Sequence, residues 1–331
     1  MTEGHILIES FESQVLKTNP LKDPSLRKLV LYLPPDYPHS QKKYPVLFLL
    51  SGFTGKGAMF LNQDAFSEAM DEKLNRLIRT KKIQPMVVVM PDCFTYYGGS
   101  QYLDSEALGL YETHLIQELV PYIKNNFPVE TDRKAWAVAG KSSGGYGALV
   151  LSMRHPDVFS IAACHSGDMG FEYCYLPDFP QAMIELEKSG GIPAFMKKFY
   201  ALKKKDGNSF LTLNIVAMAA AYSPNLQNKP HFIDLPFHPQ TGEILPAIWD
   251  KWLAWDPLRM IDRNQAALKR LNLFVDCGTQ DEFRLYAGSR MFAARLKELN
   301  IPLHYEEFDD THMKISYRYN QSLAFISERF S

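Results

Sequence analysis

The chain has 331 residues, of which 46% are hydrophobic and 22% are charged, and its formal net charge at pH 7 is -1. This composition is typical of a globular protein that forms one large domain or a domain with a sizeable insertion. The near-neutral charge and the lack of a polybasic run in the sequence disfavour nucleic acid and anionic membranes as partners.

The cysteines and the N-terminal sequence give expectations about the compartment. The four cysteines are far apart in the sequence and lack the spacing of a metal or redox site; they are Cys93, Cys164, Cys174 and Cys277. We therefore expect reduced thiols and neither a metal nor another cofactor. The N-terminus has no basic region leading into an apolar stretch, and no later stretch approaches membrane-spanning length, so the sequence predicts a cytoplasmic protein.

Apolar runs alternate with helical patterns along most of the chain. The predicted strands are residues 5–11, 27–33, 44–50, 86–90, 135–139, 159–164, 271–276 and 302–308. The predicted helices are residues 65–79, 110–126, a segment after Ser142, 285–299 and a closing helix through Phe325. The first two strands are expected to pair antiparallel, and the later alternation predicts an α/β fold with a mostly parallel sheet flanked by helices.

The alternation of strand and helix patterns is interrupted between residues 172 and 262, where the sequence is aromatic and helical. Residues 1–171 and 263–331 are therefore predicted to form the core, and residues 172–262 an inserted helical cap or lid. This segment holds three of the four tryptophans, namely Trp249, Trp252 and Trp255. They are candidates for a substrate pocket, but packing or a homodimer contact explains them at least as well.

A predicted strand, a tight turn and a predicted helix surround Ser142. Gly140, Ser142 and Gly144 fill the pattern G-x-S-x-G, which occurs once in the chain. Glycines permit a strained turn that lifts the serine hydroxyl above the sheet edge. Ser142 is therefore the candidate nucleophile, whereas the structural alternative is a glycine-rich connection in an ordinary α/β protein.

A serine hydroxyl needs a base to remove its proton and an acid to orient that base. In this class of hydrolase the chain order is serine, acid, histidine, with each partner in a loop after a strand. His304 lies within a predicted strand, whereas His312 lies in the loop after it, so His312 is the preferred base. The remaining alternative for His312 is a loop residue that caps the last helix.

Asp281 is the preferred acid because it follows the strand at 271–276, on the side where Ser142 emerges. Asp276 is the nearest rival at the end of that strand, and Glu282 is interpreted as a solvent-facing neighbour. Asp309 and Asp310 are too close to His312 in sequence for the usual position of the acid. A turn aspartate that bonds its own backbone is the alternative reading of Asp281.

Acyl transfer also requires donors for the negative charge that develops on the carbonyl oxygen. The backbone N–H groups of Ser143, directly after the nucleophile, and of Phe53, in the loop after the strand at 44–50, are the candidates.

These motifs resemble the esterase D-like branch of the α/β-hydrolases, which includes S-formylglutathione hydrolases and feruloyl and enterochelin esterases. The resemblance covers residues 25–170 and 265–325 and is carried by residues 44–47 with Gly52, 89–92, 140–148, 155–159, 277–281 and His312. It implies Ser142, Asp281 and His312 as the triad. The chain departs from the family pattern at Ser51, Lys141 and Ser143, where histidine, histidine and methionine are frequent.

The predicted function is hydrolysis of carboxylic esters, including thioesters, through an acyl-enzyme on Ser142, with a small-molecule ester as the partner. An acyltransferase with the same triad is the alternative, and a non-catalytic binding protein on this fold is a weaker one.

Overall fold

The computed structural model describes residues 3–37 and 42–330, and its centre is an eight-stranded sheet. The strands in chain order are β1 (His5–Glu12), β2 (Leu26–Leu33), β3 (Val46–Leu50), β4 (Val87–Pro91), β5 (Asp104–Ser105), β6 (Gly109–Leu110), β7 (Trp136–Lys141), β8 (Ile161–His165), β9 (Asn272–Gly278) and β10 (His304–Phe308). The order across the main sheet is β1-β2-β4-β3-β7-β8-β9-β10, and β5 and β6 form a separate hairpin.

Helices connect most of the strands. They are α1 (Met70–Arg79), α2 (Tyr111–Thr113), α3 (Val120–Asn126), α4 (Ser143–Arg154), α5 (Phe171–Cys174), α6 (Phe179–Ser189), α7 (Ile192–Ala201), α8 (Gly207–Tyr222), α9 (Pro246–Leu253), α10 (Pro257–Met260), α11 (Gln265–Leu268), α12 (Leu285–Glu298) and α13 (Tyr319–Arg329). A π-helical segment, His114–Leu119, joins α2 to α3. The predicted fold class, a mostly parallel sheet flanked by helices, is confirmed.

The central strands are buried on both faces, which explains their continuous apolar sequences. Along β3, Leu47 and Leu49 belong to one hydrophobic cluster, whereas Val46, Phe48 and Leu50 belong to the other. Successive side chains of a strand point to opposite faces, so a strand between two helical layers must be apolar at every position. The predicted antiparallel start is also present, because β1 pairs antiparallel with β2 and β2 with β4.

The parallel strands bring several loops to one edge of the sheet. β3, β7, β8, β9 and β10 are neighbours and run in the same direction. Their carboxyl ends therefore meet at one edge, where open α/β sheets ordinarily bind ligands.

The segment between β8 and β9 contains helices α5 to α11. Its buried side chains, including Phe195 and Val216, belong to the same hydrophobic cluster as Phe48 and Leu50 of the sheet. Asp256 connects its two ends, because its carboxylate accepts hydrogen bonds from the N–H groups of Gly170 and Phe171 at 3.0 and 2.9 Å. This segment therefore shares a hydrophobic core with one face of the sheet.

Within the described ranges, no helix combines the length and the apolar character needed to cross a bilayer. Among the same residues, no group of three or more His, Cys, Asp and Glu side chains is arranged to hold a metal ion.

Candidate active site

Ser142 lies in the sharp turn between β7 and α4. Its backbone has φ 59° and ψ -127°, a conformation that a residue with a side chain seldom adopts and that is characteristic of functional turns. Two backbone hydrogen bonds hold it: the Ser142 N–H donates to the carbonyl of His165 at 2.9 Å, and the Tyr146 N–H donates to the carbonyl of Ser142 at 2.9 Å. The candidate nucleophile is therefore fixed by β8 on one side and by the first turn of α4 on the other.

The glycines of the motif permit close contacts between this turn and β3. A Cβ on Gly144 would lie 2.2 Å from the carbonyl oxygen of Leu50, and a Cβ on Gly140 would lie 2.4 Å from the Gly144 carbonyl. Carbon atoms do not approach backbone this closely, so only glycine fits at these positions without a backbone shift.

His312 and Asp281 form a buried pair in the loops after β10 and β9. The Nδ1 atom of His312 and the Oδ2 atom of Asp281 are 2.7 Å apart, and both side chains are almost fully buried. The other carboxylate oxygen of Asp281 accepts the N–H of Phe283 at 2.9 Å. A neutral imidazole held through Nδ1 in this way presents Nε2 as the proton acceptor.

Two further residues of the loop that carries Asp281 contact His312, and neither contact could be predicted from the sequence. The Oε2 atom of Glu282 accepts the backbone N–H of His312 at 2.7 Å. The ring of Phe283 packs edge-on against the imidazole, with 4.8 Å between centroids. Glu282 is therefore not merely a solvent-facing neighbour, because its carboxylate anchors the histidine loop.

The alternative histidine and acid have other partners. His304 lies in β10, with its Nε2 atom 2.7 Å from Glu306 and its ring stacked on Phe274. Asp276 is fully buried and bonds His165 Nδ1 at 2.7 Å. Both residues are thus engaged away from the His312–Asp281 pair.

Asp276 belongs to a second set of Ser, His and Asp side chains. His165 Nδ1 contacts Asp276 at 2.7 Å, and His165 Nε2 contacts the hydroxyl of Ser322 at 2.7 Å. All three side chains are sealed from solvent, at 0 to 1% exposure. Because no substrate can reach this serine, the set connects α13 to the sheet rather than carrying out catalysis.

Ser142 and His312 line one cavity of about 570 Å³ at the carboxyl edge of the sheet. Within the part of the chain that the structure describes, the Ser142 hydroxyl has no hydrogen bond to His312. Catalytic hydrogen bonds are often long without substrate and tighten when it binds. The cavity is of the size that small-molecule sites commonly have.

The loop after β3 approaches Ser142 closely. A Cβ on Gly52 would lie 3.3 Å from the carbonyl oxygen of Lys141 and 3.5 Å from Ser142 Cβ. The next N–H group, that of Phe53, has no acceptor among the described residues, and neither has the Ser143 N–H at the start of α4. Unpaired N–H groups are expected at a helix N-terminus. Neither N–H group is bonded to another described residue, and the role of Phe53 and Ser143 as oxyanion donors stays a prediction.

Lys141 and Asp168 bring charge to the same cavity. Burial lowers the pKa of Lys141, although the carboxylates of Asp281, Glu282 and Asp168 act in the opposite direction. Burial likewise raises the pKa of Asp168, although hydrogen bonds from Gln101 and Tyr175 oppose this shift. Burial therefore disfavours the charged form of both side chains in this cavity.

The three tryptophans proposed as pocket residues do not line this cavity. Trp252 is fully buried and donates through Nε1 to the Ser223 hydroxyl at 2.8 Å. Trp249 packs on Phe179, with 5.5 Å between ring centroids. Trp255 lies under the guanidinium of Arg154, 5.3 Å from its ring centroid. The three tryptophans thus pack internally instead of forming a substrate pocket, and large aromatic rings suit both roles.

The side chains from the inserted segment that do line the cavity went unnoticed in the sequence. They are Cys174, Tyr175, Asp178, Phe210 and Asn214. Asp168 was not among the predicted site residues either. It follows β8 at the same edge as Ser142, so its position after a strand, the criterion used for Asp281, would have identified it. The helical residues carried no comparable signal, because their position depends on how the insertion packs.

A model of the Esterase family matches residues 24–327. The chain belongs to the Esterase family. The family-level resemblance inferred from the motifs is thereby confirmed.

Comparisons with individual proteins agree with this assignment. The chain is 32% identical over 146 residues to an endo-1,4-beta-xylanase/feruloyl esterase of Xylanibacter ruminicola, a match that covers 41% of this chain and 19% of the relative. It is 34% identical over 141 residues to esterase Rv1288 of Mycobacterium tuberculosis, covering 41% of this chain and 28% of that one. The chain thus spans less than a third of the length of either relative.

A solved ferulic acid esterase aligns with 100% of this chain and 100% of its own, with a TM-score of 0.65 and 20% identity. At this identity the likeness concerns the fold, and it confirms the α/β-hydrolase architecture.

Proposed function

We propose that this protein hydrolyses carboxylic esters through an acyl-enzyme on Ser142. Membership of the Esterase family supports the reaction class. The observation that carries the residue roles is the pairing of His312 with Asp281 at 2.7 Å in the cavity that Ser142 also lines.

In the first half of the reaction, the Ser142 hydroxyl attacks the ester carbonyl carbon and His312 Nε2 takes the hydroxyl proton. The carboxylate of Asp281 stabilises the imidazolium that forms. This step requires a hydrogen bond between the Ser142 hydroxyl and His312 Nε2, which forms when substrate binds. The N–H groups of Phe53 and Ser143 stabilise the oxyanion of the tetrahedral intermediate.

Collapse of this intermediate breaks the bond to the leaving alcohol, which receives the proton from His312. Water then attacks the acyl-enzyme with His312 again as the base, and the acid is released as Ser142 recovers its proton. A thiol leaving group follows the same path, so thioesters fall within the proposed chemistry.

The test is Ser142→Ala with p-nitrophenyl esters and a fluorophosphonate probe. The variant should lose at least about a thousandfold in kcat and should not be labelled, because removal of any triad member has this order of effect. Ser322→Ala is a matched control, since Ser322 also bonds a histidine but is sealed from solvent. Parent-like hydrolysis by Ser142→Ala would remove Ser142 from the mechanism.

A further inference from the structure

One face of α8 extends along the cavity wall. Phe210, Asn214 and Met218 are spaced four residues apart and therefore lie one above another on the same face of the helix. The ring of Phe210 packs against that of Phe53, with 5.5 Å between centroids. The sulfur of Met218 lies 3.3 Å from the hydroxyl of Tyr175. Asn214 is therefore held between the Phe53 loop and Tyr175.

Asn214 lines the cavity with an unpartnered amide. Its side chain is half-buried and makes no hydrogen bond to any described residue. An amide offers two donors and one acceptor, and a polar group removed from bulk water ordinarily finds a partner. A ligand in the cavity can supply that partner.

Asp168 offers a complementary group next to Tyr175. Its Oδ2 atom accepts hydrogen bonds from Gln101 Nε2 at 3.0 Å and from the Tyr175 hydroxyl at 2.8 Å. Its Oδ1 atom has no partner within the described part of the chain, and it is not among the unpaired atoms that are sealed from solvent. Asp168 also lines the cavity, so a ligand bound there can supply the missing partner.

The two donors fix the orientation of the Asp168 carboxylate. With Gln101 and Tyr175 both buried, Oδ2 is held in place and Oδ1 is left to accept one further hydrogen bond. Lys141 lines the same cavity and interacts electrostatically with Asp168. Lys141 already supplies a cationic neighbour for Asp168, so we take the group that donates to Oδ1 to be an uncharged one.

We propose that Asp168 and Asn214 bind a hydroxyl group of the substrate, which makes esters with a hydroxyl substituent on the acyl or alcohol part the preferred substrate class. The hydroxyl donates its proton to Asp168 Oδ1 and accepts from the amide of Asn214. This inference rests on the proposed esterase function and adds to it a recognition site for an uncharged polar group.

The experiment compares matched ester pairs that differ by one hydroxyl. The pairs are p-nitrophenyl hexanoate with its ω-hydroxy derivative, which tests the acyl side, and butyl acetate with ω-hydroxybutyl acetate, which tests the alcohol side. The ω-amino analogue of the first ester tests an ammonium. Parent, Asp168→Asn and Asn214→Ala are assayed with Asn208→Ala, an exposed residue of the same helix, as the matched control.

The parent should favour the hydroxylated member of at least one pair by about tenfold to a hundredfold in kcat/KM, as expected for a hydrogen bond to a charged group. Asp168→Asn should reduce this preference by about tenfold and Asn214→Ala by a smaller factor, measured as the ratio of kcat/KM between the two members of a pair. Asn208→Ala should keep the parent preference. If Asp168→Asn folds poorly, Asn214→Ala provides the test, because its amide supports no other described residue.

Equal rates on both members of both pairs, a preference for the ammonium ester, or an equal loss on both members in Asn214→Ala would overturn the hydroxyl site. Failure of the parent to hydrolyse any of these esters would instead count against the proposed function.

Discussion

Glu282 should act as a positioning residue for His312, and Glu282→Ala is the perturbation that tests this. Three consecutive residues hold the histidine in different ways: Asp281 bonds the imidazole at 2.7 Å, Glu282 bonds the backbone N–H at 2.7 Å, and Phe283 packs against the ring. Alanine at position 282 removes the bond to the backbone and leaves the other two contacts in place.

The magnitude follows from the type of bond that is lost. A hydrogen bond to a charged group contributes about 1.5–3 kcal/mol. If this whole contribution served to hold Nε2 in its reactive position, kcat would fall by about tenfold to a hundredfold. Because Asp281 and Phe283 still orient the ring, we expect the lower end, about tenfold, with KM unchanged.

The assay is steady-state hydrolysis of a p-nitrophenyl ester with the melting temperature measured in parallel. Glu282→Gln keeps an acceptor oxygen and should recover most of kcat. Gln280→Ala is the matched control, since Gln280 connects the same two loops through Asp309 at 2.6 Å without touching His312. Parent-like kcat in Glu282→Ala, or an equal loss in Gln280→Ala, would refute a specific role for Glu282.

Two further predictions concern the turn that carries Ser142. Gly144→Ala should destabilise the fold by about 3 kcal/mol, because the new Cβ would lie 2.2 Å from the carbonyl oxygen of Leu50 and the strands must shift. Gly207→Ala is the control, because the space around Gly207 is open and the unfolding free energy should change little. Chemical denaturation measures the unfolding free energy of both variants. Lys141→Met should raise the stability of the folded protein at pH 7, because burial lowers the pKa of Lys141 and its positive charge therefore costs free energy below that pKa. The gain in stability should shrink as the pH rises toward the ordinary lysine pKa of 10.5. A gain that grows with pH in thermal melts would contradict the argument.

The turn that carries Ser142 could be predicted from local sequence. An apolar run followed by small residues around Ser142 specifies a strand, a tight turn and a helix, and these depend on contacts between near neighbours in the chain. The same applies to the strands at residues 44–50 and 86–90, since burial on both faces requires an apolar residue at each position. The preference for His312 over His304 also came from local information, because a residue inside a strand is committed to a face of the sheet.

The contacts between distant segments depended on tertiary packing. The sequence placed Trp249, Trp252 and Trp255 in one aromatic segment, but an aromatic side chain suits a core and a pocket equally well. Only the tertiary packing of residues 172–262 decided that these rings pack internally while Asn214 and Tyr175 line the cavity.

The sequence alone thus determined the order of strands and helices, the turn at Ser142, and the few histidines and acids that are candidate partners of Ser142. The tertiary structure decided that Asp281 rather than Asp276 contacts His312, that Glu282 bonds the histidine backbone, and that Asp168 lines the cavity. The physical reason is that periodicity and turn preferences are properties of neighbouring residues, whereas a hydrogen bond between side chains some thirty residues apart exists only where packing fixes both loops.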